Sequence, residues 1–118
     1  MSEDGDRERR VIRNVDPLRR EEILARVREL AGRMRRELGA ERIILYGSFA
    51  GGWVHEGSDI DLVVVARLAG KMPARIEKVL AMTDLPVEPL VYTPEEFERL
   101  RAEPSSIVAE ALKTGVDL

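Results

Sequence analysis

Cysteine is absent from the 118 residues, and histidine occurs once, at His55. No disulfide framework and no thiolate site can form, and a lone histidine cannot build a zinc cluster. Aromatic residues are only 4% of the chain, too few for an evident base-stacking platform. The net charge is −3, so the chain as a whole lacks the positive field of a nucleic-acid binder. Nucleic acid is therefore not expected as a partner. No apolar run approaches the roughly 20 residues that span a bilayer, so no membrane association is expected either. The first residues are densely charged and carry no secretory pattern. A cytoplasmic location follows as the expectation. Lysine is also scarce, limited to Lys71, Lys78 and Lys113.

What is present fits a small globular domain. Hydrophobic residues are 44% and charged residues 35%, a balance typical of soluble folds. A chain of this length forms one domain and buries about two-thirds of its unfolded surface. Residues 1–15 interleave Glu3, Asp4, Asp6 and Glu8 with Arg7, Arg9, Arg10 and Arg13. They read as a flexible tail, and residues 16–118 as the domain.

Within the domain, Asp16-Pro17 has the form of an N-cap followed by proline at the first helical position. Ile23, Leu24, Val27, Leu30, Ala31, Met34 and Leu38 then recur at helical spacing, and Gly39 supplies a stop. Arg42–Tyr46 reads as a strand, Ser48 to about Trp53 as a short helix, and Val54–Ser58 as a loop. Asp59–Val65 reads as a second strand, apolar on both faces and hence central. A helix opens near Pro73 and carries Ile76, Val79, Leu80 and Met82. Pro86–Tyr92 is the third strand. Thr93-Pro94-Glu95-Glu96 caps a helix bearing Phe97 and Leu100. Pro104 is expected to open the last helix, with Ile107, Val108, Ala111 and Leu112 inward and Gly115 as its stop. The alternation of helices and strands makes an α/β sandwich.

The chemistry concentrates in residues 47–61, GSFAGGWVHEGSDID. Side chains alternate along a strand, so Asp59 and Asp61 project to one side. Two carboxylates about 4 Å apart repel by roughly 4 kcal/mol at an effective dielectric near 20. A divalent cation removes that penalty, and Mg²⁺ favours carboxylate oxygens together with waters and phosphates. Gly47 and Ser48 can bring backbone N–H groups and a hydroxyl against a phosphate. Phosphate grip beside metal grip points to chemistry on a nucleoside triphosphate. His55 reads as a solvated loop residue, Trp53 as buried against the sheet, and Tyr46 and Tyr92 as packing residues.

This segment resembles the signature of the nucleotidyltransferase superfamily that includes DNA polymerase beta: Gly-Ser, about ten residues, then Asp-x-Asp. It is close to the minimal nucleotidyltransferases of prokaryotes, where Gly-Ser-Phe-Ala-Arg-Gly often opens the motif and Ser-Asp-Ile-Asp-Leu closes it. Gly47-Ser48-Phe49-Ala50-Gly51-Gly52 and Ser58-Asp59-Ile60-Asp61-Leu62 stand at those positions, and the likeness covers most of residues 16–118. Two positions depart from the pattern. Gly51 stands where arginine is usual, and Glu88 where aspartate is usual, with Pro89 after it.

The resemblance implies a small mixed sheet covered by helices, like the polymerase beta palm. It implies metal binding and catalysis by Asp59, Asp61 and Glu88, with Mg²⁺ or Mn²⁺ as cofactor, and ATP as substrate held by Gly47 and Ser48. Glu88 is the implied general base. It further implies an antitoxin that pairs with a HEPN-family ribonuclease toxin and transfers AMP to a toxin tyrosine. A homo-oligomer is compatible with this reading. Two other functions are compatible with the residues. Gly51 and Glu88 suit a nucleotide-binding scaffold that neutralises its partner without turnover. An antibiotic-modifying transferase is disfavoured, because such relatives usually carry a further domain.

Overall fold

The computed structural model describes residues 17–50 and 60–118, with backbone only for Pro17, Leu18 and Ser48. The expected tail, the loop 54–58 and the later part of the short helix lie outside the described residues.

The first element is α1 (Pro17–Leu38). Its apolar positions Leu24, Val27, Leu30, Ala31 and Met34 are buried, as a stripe three and four residues apart requires. β1 (Arg42–Tyr46) follows and leads directly into the short α2 (Gly47–Ala50). Then come β2 (Ile60–Val65), α3 (Met72–Leu80) and β3 (Val87–Tyr92). α4 (Pro94–Arg101), α5 (Ile107–Thr114) and β4 (Val116–Asp117) complete the chain.

The four strands lie in the order β3-β2-β1-β4. β2 runs antiparallel to β1 and parallel to β3, and β4 is antiparallel to β1. The sheet is therefore mixed and β2 is interior, as its apolar character on both faces requires. Alternation along the strands divides the core in two. Ile43, Leu45, Ile60, Leu62, Val64, Val87 and Val91 pack with α1, Phe49 and Val79 on one face. Ile44, Val63 and Val65 pack with Phe97, Val108 and Ala111 on the other. Helices α1 and α3 thus cover one side, and α4 and α5 the other.

β3 is an edge strand, and its open side is blunted. Pro89 has no N–H to offer. The Val91 N–H meets the Met72 sulfur at 3.2 Å, and the Val91 carbonyl accepts from the Arg75 guanidinium at 3.2 Å. Arg75 also pairs with Glu96 at 2.7 Å, and Glu96 closes a capping box with Thr93 at the start of α4. One buried arginine therefore seals a strand edge and ties α3 to α4.

Three features differ from the sequence expectation. α5 begins at Ile107, not at Pro104, because the Ser106 hydroxyl accepts from the Ala109 N–H and caps the helix there. Ile107 consequently sits on the first, open turn and is 48% exposed instead of inward. After Gly115 the chain forms β4, which pairs Val116 with Leu45 and Asp117 with Ile44. Gly115 has an ordinary φ of −90°. It is needed for proximity: a Cβ there would lie 2.5 Å from the Ala111 carbonyl oxygen and 2.7 Å from an Ile44 methyl.

Candidate active site

β1 ends at Tyr46, and the chain turns at once into α2 through Gly47, whose φ is +78°. That left-handed value is strained for any residue with a Cβ. A Cβ there would also meet the Asp61 carboxylate, 3.2 Å from its Cγ, so that side chain would have to shift. The Gly-Ser turn and the Asp61 carboxyl are therefore in direct apposition, although 14 positions separate them in the chain.

Register builds the remainder of the site. Tyr46 stands opposite Asp61 across the β1–β2 pairing, and Asp61 stands opposite Glu88 across the β2–β3 pairing. Directly paired residues share a face, so these three side chains form a row across three strands. Neighbouring strands lie about 4.8 Å apart, so the two carboxyl-bearing side chains rise from adjacent backbone positions. The row borders an open cleft of about 540 Å³ lined also by Ile76, Leu80, Leu90 and Ile107. That size falls in the roughly 300–1,000 Å³ range of small-molecule sites. Leu80 and Ile107 are large apolar side chains left 44% and 48% exposed, and both line the cleft.

The neighbouring carboxyl groups act on Tyr46. Burial, then the charges of Asp61, Tyr92 and Glu88, push the Tyr46 hydroxyl up to about 12. Tyr46 is thus a neutral O–H at physiological pH, beside two carboxyl groups. It packs against the core on the α4–α5 face, as expected, and it also lines the cleft.

The donors suit a hard cation. Asp61 and Glu88 both offer carboxylate oxygens, and one or two protein carboxylates completed by water and phosphate are a usual Mg²⁺ set. Among the described residues, no three His, Asp or Glu side chains form a metal cluster. Asp59, the expected third ligand, lies outside them, as do Gly51, Trp53 and His55.

The family profile of the nucleotidyltransferase domain matches residues 27–115, well over half of the chain. The chain belongs to the nucleotidyltransferase domain family. Two solved structures resemble this nucleotidyltransferase domain. One is a candidate nucleotidyltransferase from Sulfolobus solfataricus, 22% identical, with a TM-score of 0.56 over 68% of this chain and 75% of that one. The other is a toxin–antitoxin structure with AMP-PNP, 22% identical, with a TM-score of 0.50 over 75% of this chain and 69% of that one. At such identities the likeness establishes the fold. No curated protein is a significant match.

Of the residues singled out in the sequence, the fold unites Gly47, Asp61 and Glu88. Glu88 carried the weakest local signal, since a strand-edge glutamate is ordinarily a solvated charge. The structure pairs it with Asp61 across the β2–β3 ladder. Other cleft residues were not singled out by the sequence: Tyr46 read as packing, Ile76 and Leu80 as helix positions, and Ile107 as inward. For Ile107 the cap Ser106 was the available signal.

Proposed function

We propose that this chain transfers AMP from ATP to a hydroxyl of a partner protein, a tyrosine of a HEPN-family toxin, and thereby acts as its antitoxin. The observation that carries this reading is the row of Asp61 and Glu88 in register, with Gly47 set against Asp61. Family membership supports nucleotidyl transfer in general. The toxin–antitoxin neighbour, solved with AMP-PNP, supports a nucleotide and a toxin as the two partners. The apolar rim of Leu80 and Ile107 suits an acceptor whose hydroxyl sits on a ring-bearing side chain.

In this reading, Gly47 and Ser48 hold the triphosphate by backbone N–H groups, where the absence of a Cβ permits close approach. Asp61 and Glu88, with Asp59 as the expected third ligand, would hold Mg²⁺ or Mn²⁺, whose charge offsets that building on the phosphoryl oxygens. Glu88 takes the proton of the acceptor hydroxyl. The acceptor oxygen bonds to the α-phosphorus as the bond to pyrophosphate breaks. Tyr46 stays protonated throughout and presents a neutral donor beside the reacting charge.

The test is transfer of radiolabelled AMP from ATP to purified partner toxin by wild type, Glu88→Gln and Glu88→Asp. Glu88→Gln should keep ATP binding and lose about 10²–10⁴-fold in transfer, the usual contribution of a general base. Undiminished transfer in Glu88→Gln removes Glu88 from the mechanism. The extra methylene of Glu88 and the glycine at position 51 favour a second reading, a nucleotide-binding antitoxin without turnover. Transfer by Glu88→Asp but not by wild type would establish it.

A further inference from the structure

Helix α2 comprises four described residues, Gly47–Ala50. The described turn gains little stability by itself, and a carbonyl within it takes a partner from α1. Yet the orientation of this turn decides where the Gly47 and Ser48 amides stand relative to Asp61. The turn is held through Phe49. Its ring is 2% exposed and anchored in the core on the α1 side of the sheet.

Arg20, in the first turn of α1, grips the same residue twice. Its guanidinium donates to the Phe49 carbonyl at 3.1 Å, across 29 positions of sequence. The guanidinium carbon also lies 5.5 Å from the centre of the Phe49 ring, in cation–π range. The Arg20 Nε is buried and lacks a hydrogen-bond partner among the described residues. A buried donor left unsatisfied is unfavourable, so the pose is not set by that nitrogen's own hydrogen bonding. Its contacts with Phe49 are a hydrogen bond and a cation–π approach.

We propose that Arg20 is a positioning residue that clamps the α2 turn through Phe49 and so fixes the Gly47–Ser48 backbone against Asp61. This rests on the reading of Gly47 and Ser48 as the triphosphate cradle. The planar fork is essential to the role, because only arginine can bond a carbonyl edge-on and cover a ring at the same time. Lysine keeps the charge and loses that geometry.

Arg20→Lys and Arg20→Met test the idea. Thermal melts first establish that both fold. Hydrogen–deuterium exchange then reads the amides of residues 47–50, and calorimetry reads ATP affinity in the presence of Mg²⁺. Faster exchange confined to that turn, with about tenfold weaker ATP binding (some 1.4 kcal/mol) in both variants, supports the clamp. A lysine variant that matches wild type in exchange and affinity overturns it, because charge alone then suffices. Unchanged exchange in both variants also overturns it, whatever the affinities. Wild type that binds no ATP defeats the cradle reading separately, and the exchange measurement still decides whether Arg20 holds the turn.

Discussion

At the scale of single residues, Gly47 is the most constrained position in the site. Two independent demands meet there: a φ of +78° and a carboxylate where a Cβ would go. Replacing Gly47 by alanine should cost roughly 1–2 kcal/mol for the left-handed backbone, plus the displacement of Asp61. A urea titration should show that loss of stability, and ATP affinity should fall with it. Alanine at wild-type stability would mean that the turn relaxes freely and does not hold Asp61. Gly47 and Asp61 were singled out by residue type and spacing, which are local, and Glu88 by the family resemblance; the structure brings the three together. Tyr46 was not legible as a site residue. Its place beside the carboxyl groups comes from β1–β2 register, which no local pattern records. The same holds for Arg20, whose partner Phe49 is 29 positions away.

At the scale of elements, the link among α3, β3 and α4 offers a titration. Glu96 lies below its ordinary value of 4.5 because the Arg75 guanidinium, and then the Thr93 N–H, favour its anion. A carboxyl with a depressed folded value stabilises the fold fully above its unfolded value. That contribution disappears as pH falls through the folded value. Wild type should therefore lose stability from about pH 5 downward, and Glu96→Gln should lose less over the same interval. Parallel stability curves for the two proteins would dismiss the linkage. The Arg75 and Glu96 side chains are 11% and 31% exposed, so the pair is only partly desolvated. Arg75→Met should accordingly cost about 2 kcal/mol, less than the roughly 3–5 kcal/mol of a fully buried pair broken on one side. Most element boundaries followed from apolar spacing and caps, with β1 matching its expected Arg42–Tyr46 span. The failures are non-local. β4 is only two residues long and exists because β1 offers an edge. Arg75 is buried because a carbonyl and a carboxylate await it 16 and 21 residues downstream.

At the scale of the whole molecule, the central sheet does the assembling. β2 joins the Gly-Ser turn after β1 to the carboxylate on β3, and each neighbour contributes one part of the site through Asp61. The packed cores on both faces hold that row in place, while one end remains an open cleft. In the proposed reading, a metal or nucleotide complex meets a row that the fold has already assembled. Ligand binding should therefore stabilise the entire fold. A ligand at 100 times its dissociation constant adds about 2.7 kcal/mol, which for a domain of this size raises the melting temperature by about 10 °C. Mg²⁺ or Mn²⁺ should raise it modestly, and ATP with the metal should raise it further. Asp61→Asn keeps the shape of the side chain and removes its charge. It takes one carboxylate from the proposed metal site. It should then respond little to metal or to metal with ATP. A ligand response lost from a variant that still folds distinguishes a binding carboxylate from a structural one. An Asp61→Asn variant that melts lower without ligand, yet shifts as far as wild type with Mg²⁺ and ATP, would assign Asp61 to the fold and take the metal elsewhere.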